Sequence, residues 1–273
     1  MLTAVDVARG PGFSVCAVTC VDEHPQWSPP ETWEGHWLVL VRRGRFRRRV
    51  AGTPSTVDPT VGYLGLPGEQ ESFAHPAGGD ECTSVTFSPA LWRLLAGDPG
   101  RPERTTVYVD APFELAHRRL IAAAASGDTD HALPEQVLAP AGAAIRRTVA
   151  GPTPAGAAAA PRSSAQDAAL AAAARDAIVA DHPAARGLFP LADLLGVSPY
   201  RLSRGFSREL GMSLTHYRNR ARVSRALERL AAGEPSLGIL AADLGFADQA
   251  HLTRTMRAHA GYTPSALRRL LQR

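Results

Sequence analysis

The sequence predicts a two-domain α+β chain. A strand-rich N-terminal domain with trailing helices precedes an all-helical C-terminal domain built on two helix-turn-helix units. Three observations predict this. Short runs rich in Val and Thr, cut by Pro and Gly, fill residues 14–88, which is the punctuation of a small barrel or sandwich. Residues 151–164 (GPTPAGAAAAPRSS) carry almost no bulky apolar side chain, a linker composition. Beyond them, one helix–Gly–helix pattern occurs twice, 50 residues apart. With 273 residues, 45% of them hydrophobic, the chain can fill two ordinary cores. Domains are expected at 1–150 and 166–273, joined by a linker at 151–165.

Taken in order, 14–21 (SVCAVTCV) is the first strand expected. Residues 36–50 read as two strands about a turn at Gly44, with Trp37, Val39 and Val41 on one face. Further strands are expected at 61–66 and 82–87, separated by Pro and Gly turns. The pattern then becomes helical. Residues 89–97 place Leu91, Leu94 and Leu95 at helical spacing. Residues 112–126 put Leu115, Arg119 and Ala122 on one side, and 133–149 form a third helix with Pro134 near its start and Pro140 interrupting it. Residues 167–180 open the second domain, with Leu170, Ala174, Ala177 and Ile178 inward.

The second domain carries the most specific pattern. In 245–269 (GFADQAHLTRTMRAHAGYTPSALRR), Asp248 caps a helix that Gly261 ends. Leu252, Thr255, Met256 and His259 share its inner face; Gln249, Ala250, Thr253, Arg254 and Arg257 point outward. A short apolar helix at 237–244 and the turn at Gly245 precede it. The earlier copy, 196–211 (GVSPYRLSRGFSRELG), has Ser198 as cap and Pro199 at the first helical position. Leu202 and Phe206 face inward, Gly205 allows close approach, and Tyr200, Ser203, Arg204 and Ser207 face outward. Its first helix is 188–195. A long helix at 214–230 joins the copies, with Val223, Ala226, Leu227 and Leu230 on one face and Arg218, Arg222, Arg225 and Arg229 elsewhere.

Residues 167–269 resemble the DNA-binding domain of the AraC/XylS transcription regulators. The blocks LGVSPYRLSRGFSRELGMSLTHYRNRARVSRALERL and LAADLGFADQAHLTRTMRAHAGYTPSALRR carry the resemblance, with Met256 and Leu267 standing where aromatic residues are usual. Residues 15–90 resemble, less specifically, the cupin-like β-barrel sensor that precedes that domain in the same family; the pieces are VRRGRF, DPTVGYLGLPGE and HPAGGDECT. The resemblance implies a cytoplasmic, sequence-specific regulator of transcription. Tyr200, Arg201, Ser203 and Arg204 would meet one major-groove segment of promoter DNA, and Gln249, Ala250, His251, Thr253, Arg254 and Arg257 the next. Arg204 and Arg254 suit guanine, Gln249 adenine, and Arg218, Arg222 and Arg257 phosphates. The implied partners are double-stranded DNA, a small-molecule effector, RNA polymerase in the case of an activator, and a second copy through the N-terminal helices.

Charge supports the division. All 30 basic residues are Arg. From Gln166 onward 15 Arg face 9 acidic residues, a net of +6; before it the net is −2. No signal-peptide pattern and no apolar run of membrane-spanning length is expected. Three Cys fit a reducing compartment rather than a disulfide scaffold.

Six residues of the N-terminal domain invite a metal: Cys16, Cys20, His24, His36, His75 and Cys82. Cys20, His24, His75 and Cys82 are the candidate zinc ligands, although their spacing matches no finger pattern and buried thiols also serve as small hydrophobes. His24, Glu31, His36 and His75 are candidate ligand-pocket residues, with Trp27, Trp33, Trp37 and Tyr63 as candidate pocket aromatics. Catalysis is the competing class of function. It would need an H-x-H metal motif, GxSxG, a P-loop or a dinucleotide fingerprint, and the sequence contains none. No resident cofactor is otherwise expected. A constitutive architectural DNA binder, the third class, would not need a folded sensor domain.

Overall fold

The computed structural model describes residues 2–21, 23–97, 102, 105–127, 132–150 and 164–272. The expected linker falls almost wholly outside them. The N-terminal region runs β1 (Leu2–Gly10), β2 (Phe13–Cys20), β3 (Glu31–Thr32), β4 (His36–Arg43), β5 (Phe46–Val50), β6 (Thr53–Val57), β7 (Val61–Gly65), β8 (Gln70–Ala74), β9 (Asp80–Phe87), α1 (Pro89–Ala96), β10 (Thr106–Tyr108), α2 (Ala111–Ala125) and α3 (Ala132–Ala150). Two antiparallel sheets, ordered β1-β2-β9-β4-β7-β10 and β3-β8-β5-β6, build a two-sheet barrel.

Period-two alternation explains how β4 serves two cores. Leu38 and Leu40 face the helices, in one cluster with Val85, Phe113 and Ile145. Val39 and Val41 face the barrel interior with Phe46, Val57, Tyr63 and Cys82. Trp37 lies on that same face, as its spacing predicted, and both faces of the strand are covered. Gly44 does turn the chain between β4 and β5, but these strands do not pair. β4 lies in the six-stranded sheet and β5 in the four-stranded one, so Gly44 marks a corner between layers.

Two helical expectations are corrected. In α1 the buried residues are Trp92 and Ala96, flanked by Leu91 and Leu95, while Leu94 is 77% exposed. At 100° per residue Leu94 lies about 130° around the helix from the centre of that face. In α3, Pro140 does not interrupt the helix. Val137, Ala141, Ala144 and Ile145 bury one continuous face around it. One missing N–H is a small loss against that packing.

The C-terminal region is helical: α4 (Ala165–Val179), a 3-10 turn (Pro183–Arg186), α5 (Leu188–Leu194), α6 (Pro199–Leu210), α7 (Leu214–Ala231), α8 (Leu237–Asp243), α9 (Gln249–Ala260) and α10 (Pro264–Leu271). Leu170, Ile178, Leu191, Leu202, Phe206 and Tyr217 fill one core. Val223, Leu227, Leu240, Leu252, Met256 and Leu267 fill another. Helix α7 contributes to both and joins the two units rigidly. Gly205 lets α4 approach α6, because a Cβ there would lie 2.9 Å from Asp167 Oδ1. Among the described residues no helix is long and apolar enough to cross a membrane.

The barrel and the helical region share a buried junction. Ala111 and Leu115, at the start of α2, belong to the same apolar cluster as Leu227, Leu252 and Met256. Arg220 of α7 is fully buried. Its Nη2 lies 2.7 Å from Glu114 Oε2. Its Nε and Nη2 donate to the Val109 carbonyl at 3.0 and 2.8 Å. Glu114 Oε1 accepts from Arg118 Nε at 2.7 Å and from Ser224 Oγ at 2.9 Å. Nearby, Arg175 Nη2 meets Asp58 Oδ2 at 3.0 Å, and the Tyr217 hydroxyl lies 2.8 Å from Thr60 Oγ1. Four polar side chains of the helical region, Arg175, Tyr217, Arg220 and Ser224, therefore end on the loop before β7, on the Val109 carbonyl and on α2.

Removing one partner of a buried ion pair leaves the other charge desolvated and alone. Arg220→Met is expected to cost about 3–5 kcal/mol of stability on that ground, measured by urea unfolding of the full chain. A loss under about 1 kcal/mol, within the range of exposed ion pairs, would mean that the junction is open in solution.

A second expectation concerns acid. His117 is buried on α2, its Nε2 2.7 Å from Thr83 Oγ1. Burial, with help from Arg118 and Arg42, lowers its pKa to about 3. The unfolded chain takes up this proton near pH 6.5 and the folded chain does not, so stability falls as pH drops below about 6.5. The slope contributed is about 1.4 kcal/mol per pH unit, down to the folded pKa. Urea midpoints between pH 7 and 5 should show this dependence, and His117→Gln should flatten it.

Candidate nucleic-acid interface and barrel cavity

The two helix-turn-helix units are built alike. Ser198 Oγ accepts from the Arg201 amide at 3.2 Å to start α6, and Asp248 Oδ1 accepts from the His251 amide at 2.6 Å to start α9. The turns before them sit at Gly196 (φ 65°) and Gly245 (φ 71°), a left-handed backbone that costs glycine nothing. The helices stop at Gly211 and Gly261. On α6, Leu202 and Phe206 are buried, and Tyr200, Arg201 and Arg204 are exposed, with Ser203 between. Arg204 lies over the Tyr200 ring at 5.5 Å, and Arg201 Nη2 donates to Gln166 Oε1 at 3.1 Å.

On α9, Leu252, Thr255 and Met256 are buried, while Gln249, Ala250, Arg254 and Arg257 are exposed. Thr253 and His251 already serve the helix. Thr253 Oγ1 donates to the Gln249 carbonyl at 2.9 Å, and His251 Nδ1 accepts from the Ala247 amide at 3.3 Å. His259 is only partly buried, against His216 with ring centroids 4.7 Å apart. Burial, with His216 and Arg220 nearby, lowers its pKa to about 4.

Between the units lies a basic cleft lined by Arg186, Arg218, Arg222 and Arg225. Arg225 pairs with Asp181 at 2.7 Å. Arg222 lies over Phe246 at 5.6 Å. Arg218 Nε and Nη2 are buried and find no hydrogen-bond partner among the described residues. Burial, then the neighbouring Arg222, lowers the pKa of Arg218. Two donors held out of water without an acceptor are costly. Sequence spacing placed Arg218 off the apolar face of α7 but could not reveal its unmet donors.

The barrel encloses a cavity of about 520 Å³. Trp33, Trp37, Val39, Phe46, Tyr63 and Phe73 supply its apolar wall. His24, Glu31 and His75 line it, as the sequence suggested; His36 does not. His36 faces the opposite side of β4 and stacks on Trp92 at 4.3 Å, because residues 36 and 37 alternate across the strand. Among the candidate aromatics, Trp27 is also absent from the cavity; the guanidiniums of Arg49 and Arg47 lie over it at 4.5 and 5.2 Å. Sequence reasoning missed Arg48, which is fully buried beside the cavity between Glu71 and Glu69 and lies 4.2 Å over the Tyr63 ring. Burial raises the Glu71 pKa against the pull of Arg48. An Arg flanked by Arg47 and Arg49 in an RRR run gives no sign of burial.

Of the four candidate zinc ligands, the structure brings three together. One donor atom from each of Cys20, His24 and His75 lies within 4.8 Å of the others. Cys82 stands outside that group, its Sγ 2.7 Å from Asp80 Oδ2, because the β2–β9 register places Asp80, not Cys82, opposite Cys20.

Residues 191–270 match the family profile described as "Helix-turn-helix domain". These residues form a helix-turn-helix domain, carried behind the two-sheet strand region. The solved C-terminal domain of AraT, a response regulator from Geobacillus stearothermophilus, is 29% identical over 40% of this chain and 87% of its own, with a TM-score of 0.35. ToxT from Vibrio cholerae O395 is 10% identical over 96% of this chain and 98% of its own, with a TM-score of 0.37. A cupin superfamily protein from Desulfitobacterium hafniense covers 32% of this chain and 78% of its own at 11% identity, with a TM-score of 0.28. No curated protein sequence matches the chain.

Proposed function

We propose that this chain is a sequence-specific regulator of transcription whose grip on promoter DNA is set by a small molecule in the barrel cavity. The observation that carries the reading is the pair of like-built helices, α6 and α9, held by one continuous helix, α7. A rigid spacer of this kind suits two major-groove segments about 34 Å apart on one face of the duplex.

In this reading Tyr200, Arg201, Ser203 and Arg204 meet one groove segment, and Gln249, Ala250, His251, Thr253 and Arg254 meet the next. Arg254 is the best guanine reader, because it is exposed on α9 and among the described residues no intramolecular bond holds its fork. Thr253 and His251 support that helix end more than they read, given their local bonds. Arg218, Arg222 and Arg257 take phosphates; the unmet donors of Arg218 favour this role for the cleft between the units. The cavity suits a small, largely apolar or aromatic effector with one polar group near Glu71. Its occupancy reaches the DNA-binding helices through α2 rather than through the linker alone, since α2 packs on both. RNA polymerase is the further partner if the chain activates, and a second copy through the N-terminal helices is the expected oligomeric contact. The barrel has no catalytic role in this reading.

Selection of sites from a random DNA pool by the full chain tests the proposal. An asymmetric motif spanning about two helical turns is expected, and failure to enrich any sequence at low and moderate salt, with and without candidate aromatic effectors, would overturn it. On the selected site, Arg254→Ala should cost about 1–3 kcal/mol and relax one position of the motif. Arg218→Ala should instead weaken all sequences alike and lower the salt slope by about one. Equal behaviour of the two variants would remove the distinction between reader and phosphate clamp.

A further inference from the structure

The barrel brings three metal-ligating side chains to one point of its wall. Cys20 ends β2, His24 follows in the next loop, and His75 follows β8. Backbone pairing sets the geometry: the His75 amide donates to the His24 carbonyl at 2.8 Å, and the β2–β9 register places Cys20 opposite Asp80. Cys20 and His75 are buried, and His24 is partly so.

His24 Nδ1 lies 3.3 Å from the Gln26 carbonyl, which can only accept, so Nδ1 carries the proton there. That leaves His24 Nε2 with its lone pair, facing His75 Nδ1 at 2.8 Å. One nitrogen of each histidine and Cys20 Sγ lie within 4.8 Å of one another. His75 Nε2 lies 2.8 Å from Asp80 Oδ1, an oxygen that accepts no hydrogen bond among the described residues. The Asp80–His75 contact has the form of the outer-sphere carboxylate that orients a metal-binding histidine.

We propose that Cys20 Sγ, His24 Nε2 and His75 Nδ1 bind a zinc ion at the wall of the barrel cavity. One thiolate and two imidazoles are borderline-soft donors suited to Zn²⁺. Tetrahedral zinc with nitrogens at about 2.0–2.1 Å holds them about 3.3 Å apart, so His24 need only swing outward by roughly half an ångström. Binding displaces the Cys20 thiol proton to solvent, and both imidazoles remain neutral. Cys20, His24 and His75 all line the cavity, so a fourth ligand would be water or a molecule held there. The assignment concerns the barrel alone and stands or falls independently of DNA binding.

The test is metal content and affinity of the purified, tag-free full chain. Near-stoichiometric zinc is expected by elemental analysis. Replacement with Co²⁺ should give the intense visible bands of a tetrahedral site and a thiolate-to-cobalt charge-transfer band. Cys20→Ser should abolish the charge-transfer band, and His24→Gln, at a partly exposed loop position, should weaken zinc by at least ten-fold. Cys16→Ser, which removes the thiol bonded to Asp6, should leave both unchanged. A wild-type chain that takes up neither Zn²⁺ nor Co²⁺ would overturn the proposal. So would wild-type zinc affinity in folded Cys20→Ser and His24→Gln variants, with the two histidines then sharing a proton in place of the metal.

Discussion

The buried pair between Glu114 and Arg220 is the interaction on which the arrangement of this molecule depends. It joins α2, which belongs to the barrel's helical layer, to α7, which spaces the two helix-turn-helix units. Burial pushes the Glu114 carboxyl up, but Arg118 and Arg220, with hydrogen bonds from Arg118 and Ser224, outweigh it and hold the group below its usual range. The charge is thus kept inside the protein because two guanidiniums and a hydroxyl converge on it. Around this polar centre, Ala111 and Leu115 complete an apolar core that the second helix-turn-helix unit also uses. The two regions share packing atoms, and movement of α2 changes the environment of α9 without passing through the linker.

The same helix meets the barrel. Phe113 and Leu120 enter the cluster that contains Leu38 and Val85, and Arg118 Nη2 donates to the Arg42 carbonyl at 2.9 Å. Val39 and Tyr63 line the cavity, and their strands carry Leu38 and Leu64 into that helical-side cluster on their other faces. A close-packed interior transmits displacements instead of absorbing them. The cavity itself has an apolar wall with two polar poles, Glu71 beside Arg48 at one and the Cys20–His24–His75 group at the other. That contrast gives orientation to a small ligand as well as burial.

Much of this was legible before any coordinates. Ser198, Asp248, Gly211 and Gly261 mark helix ends through local chemistry, so α6 and α9 could be placed nearly to the residue. Val223, Leu227 and Leu230 announce the buried face of α7 by spacing alone. The strands at Phe13–Cys20 and Asp80–Phe87 are apolar enough to read. β1, β6 and β8 were not read. β1 is an edge strand with Leu2 and Val5 exposed, β6 contains a proline, and β8 buries a glutamate. Leu94 misled because a leucine at helical spacing need not lie on the covered face when a tryptophan beside it does. His36 misled because one residue of strand register exchanges the cavity for the opposite core.

Taken by itself, the sequence determined the helix caps, the doubled unit, the outward-facing side chains of α6 and α9, and the presence of a strand-rich domain ahead of them. These follow from interactions within a few residues, where periodicity and capping act. Only the tertiary structure decided that Arg220 and Arg48 are buried, that His24 and His75 face each other beside Cys20 while Cys82 turns to Asp80, and that α2 closes the core of the second helix-turn-helix unit. Most of these depend on residues tens to more than a hundred positions apart. An arginine or a histidine carries no local mark of which distant carboxylate or imidazole the fold will set beside it.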